Sequence, residues 1–287
     1  MCNHNIRMNS PHDRPSRDPL ILLAQEMKLR GFSKNTVKSY TYYITELIKF
    51  ASRGSRDIQG KDIRDYLEWL VDEGKSASTV NTAYSSLKFY FEKILYRKFF
   101  ATLPRVKKKK KLPVVLSVEE VRKLLDNISN IKHHTIVSLL YGCGLRVSEV
   151  VNIKMYDIDI ERVMLHIRSG KGQKDRCVPL PQKLISILCK QSKLKLATDF
   201  LFTNGRNSKL TTATVQKIIK NAVKKTCISK HVSPHTLRHT FATHLLENGT
   251  SIRYIQKLLG HARMETTQTY VHVASHNLLN ITSPLDV

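Results

Sequence analysis

Two basic side chains lie three residues apart at the predicted start of a helix. Ser233 is a good N-cap, and Pro234 suits the first helical position. His235 and Arg238 then lie on one face of the first turn, beside its free N–H groups and the positive end of the helix dipole. This arrangement predicts a site that binds an anion, and a phosphate is the anion that we expect.

The composition indicates that this phosphate belongs to a polyanion. The chain has 287 residues, with 48 lysines and arginines against 23 acidic residues, and its formal net charge is +25. This length permits two domains that each bury a core. So large an excess of positive charge favours nucleic acid as the partner. The alternative is a soluble protein that is merely basic.

Nothing in the sequence predicts export or insertion into a membrane. The first 19 residues are polar and charged, and no apolar run is long enough to span a bilayer. The cysteines are odd in number and form no C-x-x-C pair, which favours reduced thiols over disulfides or a zinc site. They are Cys2, Cys143, Cys177, Cys189 and Cys227. We therefore expect a cytoplasmic protein.

The apolar pattern divides the chain into four parts. Residues 1–18 are polar and predict a flexible tail. Residues 19–103 contain four amphipathic helices with short connections, which is typical of an all-α bundle. Residues 104–115 form a basic linker, and residues 116–287 form a second, α+β domain with a small antiparallel sheet. The predicted fold is therefore mainly α.

The linker carries five consecutive lysines between Pro104 and Pro113. They are Lys107, Lys108, Lys109, Lys110 and Lys111. Such a run cannot form a core, and its charges repel one another into an extended strap. It could be an ordinary charged linker, or a linker that lies along DNA and neutralises phosphates. We favour the DNA-binding interpretation, because both flanking domains are also basic.

The second domain begins with a capping box at Ser117–Glu120. Alternating segments rich in β-branched residues predict strands at 157–160, 163–168 and 176–179. Lys171 lies at the tip of the turn that joins the last two strands. Further helices are predicted at 182–191, 212–225, 234–248, 251–259 and 264–271.

Six residues of this domain together resemble the active site of the tyrosine recombinase (phage integrase) family. They are Arg146, Lys171, His235, Arg238, His261 and Tyr270. The motifs that carry the resemblance are G-L-R-V-S-E around Arg146, G-K-G around Lys171, H-T-L-R-H from His235, L-G-H up to His261 and T-T-Q-T-Y up to Tyr270. Each motif alone is weak, but all of them in this order are specific.

The resemblance extends over nearly the whole chain, because the four-helix part is similar to the family's core-binding domain. Within the family the chain looks most like the Xer-type recombinases. It shows neither the long additional N-terminal domain of arm-binding phage integrases nor a large insertion like that of integron integrases. The resemblance also implies a protein associated with the nucleoid.

The resemblance implies a covalent mechanism on DNA. Tyr270 would attack a phosphodiester and form a 3′-phosphotyrosyl link with a free 5′-hydroxyl. Arg146 and Arg238 can bind the non-bridging oxygens and offset the charge of the transition state. Lys171 can protonate the leaving 5′-oxygen as general acid. The scheme requires no metal and no nucleotide cofactor.

Three further side chains would assist this chemistry. His235 can take the proton of the tyrosine or bind a phosphate oxygen, and His261 can donate a hydrogen bond to the same phosphate. Glu149, three residues after Arg146, can orient that arginine or a histidine. Which histidine acts as general base stays open at this point.

Other interpretations exist for several of these residues. His231, His235 and His239 have a spacing like that of metal ligands, but the glutamate of H-E-x-x-H is missing, which disfavours zinc. His239 is better explained as a structural residue, packed or hydrogen-bonded within its helix, and the same holds for His244 and His272. Tyr270 could be a core tyrosine, although the polar segment 265–269 before it does not favour a buried aromatic ring.

The family resemblance also implies self-association. Four protomers on two DNA sites would exchange strands pairwise through a Holliday junction. Of the 17 residues that follow Tyr270, Leu278 and Leu279 would dock on a neighbouring protomer, or alternatively on their own domain. A second recombinase or a DNA translocase is a possible additional partner.

The sequence thus predicts a site-specific DNA recombinase, with resolution of chromosome or plasmid dimers as its Xer-type role. The alternative within the family is a recombinase that integrates or excises a mobile element or virus. A type IB topoisomerase would share the cleavage chemistry without strand exchange. A non-catalytic DNA-binding protein would not need both a hairpin lysine and an attacking tyrosine.

Overall fold

The computed structural model divides the chain into two compact units, residues 1–110 and 111–287. Its described residues are 18–98, 103–107, 112–168, 175–192, 195–261 and 263–271. Residues 1–17, which include nearly all of the predicted tail, lie outside this set. Four lysines of the predicted DNA-binding run also lie outside it, namely Lys108, Lys109, Lys110 and Lys111. Each unit has its own hydrophobic core.

The first unit is a bundle of four helices, as the apolar periodicity predicts. They are α1 (Pro19–Leu29), α2 (Lys34–Ala51), α3 (Gly60–Asp72) and α4 (Ala77–Phe89), and α4 continues as a π-helical turn over Tyr90–Ile94. Ser33 and Ser76 cap α2 and α4, where each hydroxyl oxygen accepts a backbone N–H at 3.1 Å. Ile44, Leu47 and Ile63 are fully buried between the helices.

The beginning of the predicted linker belongs to the first unit. The Asn81 amide nitrogen donates to the Val106 carbonyl at 2.8 Å, and the Tyr84 hydroxyl donates to the Leu103 carbonyl at 3.2 Å. The Arg105 guanidinium lies over the Tyr84 ring, 4.9 Å from its centroid. Residues 103–106 are therefore fixed to α4. The strap predicted for the lysine run itself stays a prediction, because four of the five lysines lie outside the described residues.

The second unit contains eight helices and a small sheet among its described residues. They are α5 (Val118–Asp126), α6 (Ile131–Gly142), α7 (Val147–Val150), α8 (Gln182–Ser192), α9 (Thr212–Val223), α10 (Pro234–Glu247), α11 (Ile252–Leu259) and α12 (Met264–Gln268). The predicted capping box begins α5, because Ser117 Oγ accepts from the Glu120 N–H and Glu120 accepts from the Ser117 N–H. Within the described part of the chain, no helix is both long and apolar enough to cross a bilayer.

The sheet has three antiparallel strands in the order β1–β2–β3. They span Ile158–Asp159, Met164–Ile167 and Arg176–Pro179. Leu165 pairs with Val178, and both are buried against the core. The predicted fold class, mainly helical with a small antiparallel sheet, is confirmed, although β1 and β2 are shorter than their apolar patterns predict. A 3₁₀ turn at Met155–Asp157 occupies the start of the first predicted strand.

Helix α10 begins where the sequence predicts it. Ser233 Oγ accepts from the Thr236 N–H at 3.2 Å, and Pro234 occupies the first turn. The helix packs against α6, α9 and α11, so most of its side chains are buried and it has no exposed polar stripe. This central position lets α10 bring several polar side chains to one site.

Candidate active site

A buried carboxylate, that of Glu149, lies at the centre of the site. The short helix α7 places it within reach of its own N-cap residue, Arg146. The Arg146 backbone N–H donates to Glu149 Oε2 at 2.7 Å, and Arg146 Nη1 donates to Oε1 at 2.8 Å. The spacing R-x-x-E thus satisfies the end of a helix and fixes the direction of the arginine with the same carboxylate.

A second arginine, Arg176 of β3, binds the same carboxylate with both terminal nitrogens. Nη1 and Nη2 each donate to a Glu149 oxygen at 2.8 Å, and Nε donates to the Leu258 carbonyl at 2.6 Å. The Arg176 side chain is only 7% exposed. The sequence analysis missed this residue. The available signal is the alternation of the strand, which places Arg176 on the same face as the buried Val178.

The charges around Glu149 decide its ionisation. Burial alone would raise the pKa of this carboxyl group. The hydrogen bonds and charge of Arg176, with those from Arg146, outweigh burial and lower the pKa to about 2. Glu149 is therefore a permanent anion at neutral pH, and it offsets the positive charge that surrounds it.

Arg238 of α10 is held between two backbone carbonyls. Nη1 donates to the Gly144 carbonyl at 2.6 Å, and Nη2 donates to the Leu259 carbonyl. Nη1 also lies 3.8 Å from Glu149 Oε2, and the residue is 4% exposed. Burial, followed by the charge of Arg146, lowers the pKa of Arg238 to about 10, so the guanidinium stays charged at neutral pH. Each terminal nitrogen has a second N–H, which can donate to a phosphate oxygen.

Gly144 forms the loop that presents this carbonyl to Arg238. Its φ is +60°, and a β-carbon there would lie 2.3 Å from the Phe241 ring. We expect Gly144→Ala to lower the free energy of unfolding by about 2–4 kcal/mol, because left-handed strain adds to overpacking. Urea denaturation would measure the loss. Gly205→Ala is the matched control, since nothing lies within 4 Å of that added carbon. Equal stabilities of the two variants would contradict the packing argument.

Tyr270 is buried, with 2% of its surface exposed. Its ring packs among Phe241, Ile255 and Leu259, and its hydroxyl lies 3.0 Å from His239 Nδ1. The expectation from the polar residues before it is therefore wrong, because the apolar surroundings come from α10 and α11. Burial raises the pKa of Tyr270, while the charges of Arg238 and Arg146 act in the opposite direction.

His261 lies beside Tyr270 at the end of α11. The two rings are nearly parallel, with 6.3 Å between centroids and 16° between planes. His261 Nδ1 is 3.0 Å from Thr267 Oγ1, which fixes the direction of the imidazole. Burial and the nearby Arg238 lower the pKa of His261 to about 4, so the ring is neutral at physiological pH.

The structure separates the other histidines of α10. His235 is exposed on the first turn whereas Arg238 is buried, so the two do not form the jointly exposed face that their spacing predicts. His239 contacts the tyrosine of another segment, so the hydrogen bond within its own helix that the sequence analysis offers for it is not the one that the structure shows. His244 bridges the Tyr141 hydroxyl and the Leu116 carbonyl, each at 2.9 Å.

Several residues that the sequence analysis assigns to the site, the linker or the tail lie outside the described ranges. They are Lys171, Lys108, Lys109, Lys110, Lys111, His272, Leu278 and Leu279. Lys107, the first lysine of the run, is described and exposed. Within the described ranges, no group of three or more histidine, cysteine or acidic side chains could hold a metal ion. The described site therefore consists of three arginines around one carboxylate, two imidazoles and a buried phenol.

The helical bundle and the site of the second unit together define a tyrosine recombinase. The chain matches the family model "Phage integrase family" over residues 114–277 and the model "Phage integrase, N-terminal SAM-like domain" over residues 22–100. Because the first match alone covers more than half of the sequence, the chain belongs to the phage integrase family.

Known relatives extend this similarity over most of the chain. The tyrosine recombinase XerA of Pyrococcus furiosus is 41% identical over 263 residues, which cover 89% of each chain. A putative integrase/recombinase of Sinorhizobium fredii is 36% identical over 276 residues, 92% of this chain and 87% of the relative. A crystal structure of a lambda integrase dimer bound to a COC′ core site has a TM-score of 0.71 at 22% identity and covers 92% of this chain and 78% of that one, which shows a shared fold.

Proposed function

We propose that this protein is a site-specific DNA recombinase that cuts and rejoins duplex DNA through a 3′-phosphotyrosyl intermediate. The observation that carries the proposal is the pair Arg146 and Arg238, which one buried carboxylate directs beside the phenol of Tyr270. Fixed guanidinium groups next to a nucleophile suit a reaction in which negative charge develops on phosphate oxygens. The net charge of +25 fits a DNA substrate.

The proposed chemistry assigns one task to each group. Arg146 and Arg238 bind the non-bridging oxygens, and Tyr270 attacks phosphorus. In the tautomer in which Nδ1 accepts from the Thr267 hydroxyl, the neutral His261 carries its proton on Nε2 and donates a hydrogen bond to the same phosphate. The exposed His235 is available to a phosphate that approaches from solvent.

The lysine run of the linker is proposed to neutralise phosphates of the DNA backbone. Its five positive charges stand on consecutive residues, and each contact with a phosphate would release a counterion and steepen the salt dependence of binding. The residues that would make these contacts are Lys107, Lys108, Lys109, Lys110 and Lys111.

A suicide-substrate assay tests the proposal directly. A nicked duplex that contains a candidate site is incubated with the protein in EDTA, and the products are separated on a denaturing gel. We expect a covalent protein–DNA band that resists the chelator, since the scheme uses no metal. Tight binding without such a band would favour a DNA-binding protein, or an enzyme that needs an absent partner recombinase or translocase.

Lys171 is proposed as the general acid for the leaving 5′-oxygen. Lys171→Ala is expected to slow cleavage of normal DNA by about 100-fold or more, because the 5′-alkoxide then leaves without a proton. A bridging 5′-phosphorothiolate should restore cleavage, since a thiolate needs no proton to leave. Single-turnover rates on both substrates measure this, with the exposed Lys190→Ala as control. If Lys171→Ala cleaved the phosphorothiolate substrate as slowly as normal DNA, Lys171 would not be the general acid.

We propose an Xer-type role, resolution of chromosome or plasmid dimers by a tetramer on two sites. The 41% identity to a XerA recombinase supports it. Integration or excision of a mobile element is the second candidate, favoured by the 36% identity to a putative integrase/recombinase. A supercoiled plasmid with two directly repeated sites should be converted into two circles. Relaxation of a plasmid without such sites would instead indicate a topoisomerase.

A further inference from the structure

We propose that His239 is a catalytic residue that accepts the proton of the Tyr270 hydroxyl during attack on the phosphate. The inference rests on the proposed function. As the bond between Tyr270 Oη and phosphorus forms, the phenolic proton moves to His239 Nδ1. The bond from phosphorus to the 5′-oxygen breaks, and that oxygen takes its proton from the general acid proposed above. In the reverse step the 5′-hydroxyl gives this proton back to the general acid as it attacks, and the imidazolium returns its own proton to the departing phenolate.

The geometry places a proton acceptor on the attacking atom itself. His239 Nδ1 lies 3.0 Å from Tyr270 Oη, within the range of an O–H···N hydrogen bond. The two rings are tilted by 54°, with their centroids 5.5 Å apart, so the nitrogen rather than the ring face meets the hydroxyl. The proposal requires the tautomer with its proton on Nε2, in which Nδ1 accepts.

The other two candidate bases are less well placed. His261 stacks against Tyr270 with nearly parallel planes, and its Nδ1 is paired with Thr267. A stacked ring presents its face to the neighbour and not a nitrogen lone pair. His235 is exposed on the first turn of α10, whereas the phenol is buried. The contact of His239 with the nucleophile therefore distinguishes it among the described histidines of the site.

The groups around His239 keep its imidazole neutral, so that it can accept a proton. Burial, followed by the charges of His235 and Arg238, lowers its pKa from the ordinary value. Two further titratable groups face it from other segments, Tyr270 and His261. Because each nearby cation disfavours imidazolium, the acquired proton is held only weakly and can return in the religation step.

The first test compares two variants in the full-length protein. Asparagine can offer an amide oxygen close to the position of Nδ1, so His239→Asn keeps an acceptor but cannot hold a proton. We expect both His239→Asn and His239→Ala to slow single-turnover cleavage by about 100-fold or more. A wild-type cleavage rate in His239→Asn would overturn the proposal, because residue 239 would then only position the tyrosine.

Three further readouts separate proton transfer from structural support. Added imidazole should accelerate cleavage by His239→Ala, with a dependence on pH that follows free imidazole. 3-Fluorotyrosine at position 270 has a more acidic phenol that needs less help from a base. Its incorporation should therefore reduce the loss of cleavage rate in His239→Asn. The wild-type rate should fall as the pH drops through the lowered pKa of His239, and this limb should vanish in His239→Asn.

His244→Asn provides the matched control, because this histidine lies on the same helix but bridges Tyr141 and Leu116. It is expected to change thermal stability and to leave the pH profile of cleavage intact. A wild-type protein without any adduct would count against the proposed function itself, as in the suicide-substrate assay. Adducts at wild-type rate and pH dependence from His239→Asn would refute only the role of His239.

Discussion

Tyr270→Phe is expected to abolish the covalent protein–DNA adduct while site binding stays within about threefold of wild type. Phenylalanine keeps the ring that packs against Phe241 and Leu259, and it removes only the attacking oxygen. The lost hydrogen bond to His239 should cost about 1 kcal/mol of folding stability. Denaturing gels with a nicked substrate measure the adduct, and gel-shift titration measures binding.

The matched control is Tyr254→Phe, the same substitution at a tyrosine of α11 that is 64% exposed. It should form the adduct at the wild-type rate. A remaining adduct in Tyr270→Phe would show that another residue is the nucleophile. Loss of DNA binding in that variant would indicate that the hydroxyl supports the fold more than the chemistry.

Glu149→Gln is expected to lower the free energy of unfolding by about 3–5 kcal/mol. The substitution leaves Arg176 and Arg238 buried without their counter-charge, at side-chain exposures of 7% and 5%. An amide offers one acceptor oxygen, whereas the carboxylate accepts from Arg176 through both oxygens and also from Arg146. Urea denaturation of both proteins at neutral pH measures the difference.

The exposed Glu161→Gln in the same unit removes the same charge from a solvated position, and it should change stability by less than about 0.5 kcal/mol. A loss below about 1 kcal/mol for Glu149→Gln would contradict the central role of the carboxylate.

The dependence of stability on pH gives a second check on Glu149. Its pKa of about 2 in the folded protein lies below the unfolded value of about 4.3. The stabilisation is therefore complete above the unfolded pKa, and it is lost as the pH falls from about 4.3 toward 2. Wild-type stability should decline through this window, and the decline should be shallower in Glu149→Gln. If the stabilities of the two proteins fell equally steeply with pH in this window, the assigned ionisation of Glu149 would be contradicted.

The parts of the site that sequence analysis predicts best depend on local interactions. Ser233 and Pro234 begin α10, and Ser117 begins α5, because a capping hydrogen bond joins residues only two or three positions apart. The pairing of Arg146 with Glu149 is local for the same reason. Such contacts follow from the order of residues alone. The fold class follows from apolar periodicity in the same way, and it is confirmed.

The parts that sequence analysis misses depend on contacts between distant segments. Arg176 meets Glu149 across 27 residues, and His239 meets Tyr270 across 31. The polar segment 265–269 before Tyr270 does not predict its burial, since Phe241 and Ile255 supply the surroundings. The docking of residues 103–106 on α4 is not predicted either, because the adjacent lysines dominate the local composition. Long-range packing of this kind overrides local polarity.

The burial of Tyr270 bears on the fate of broken DNA. Without DNA, the residue that would carry the 3′ end is only 2% exposed. Where the same apolar side chains surround the proposed linkage, bulk water would have little access to it. Hydrolysis would release a permanent strand break, whereas a tethered 5′-hydroxyl restores an intact strand. Exclusion of water would therefore make resealing faster than hydrolysis. In the proposed reaction, the apolar packing around Tyr270 would thus protect the DNA from a permanent break between cleavage and strand exchange.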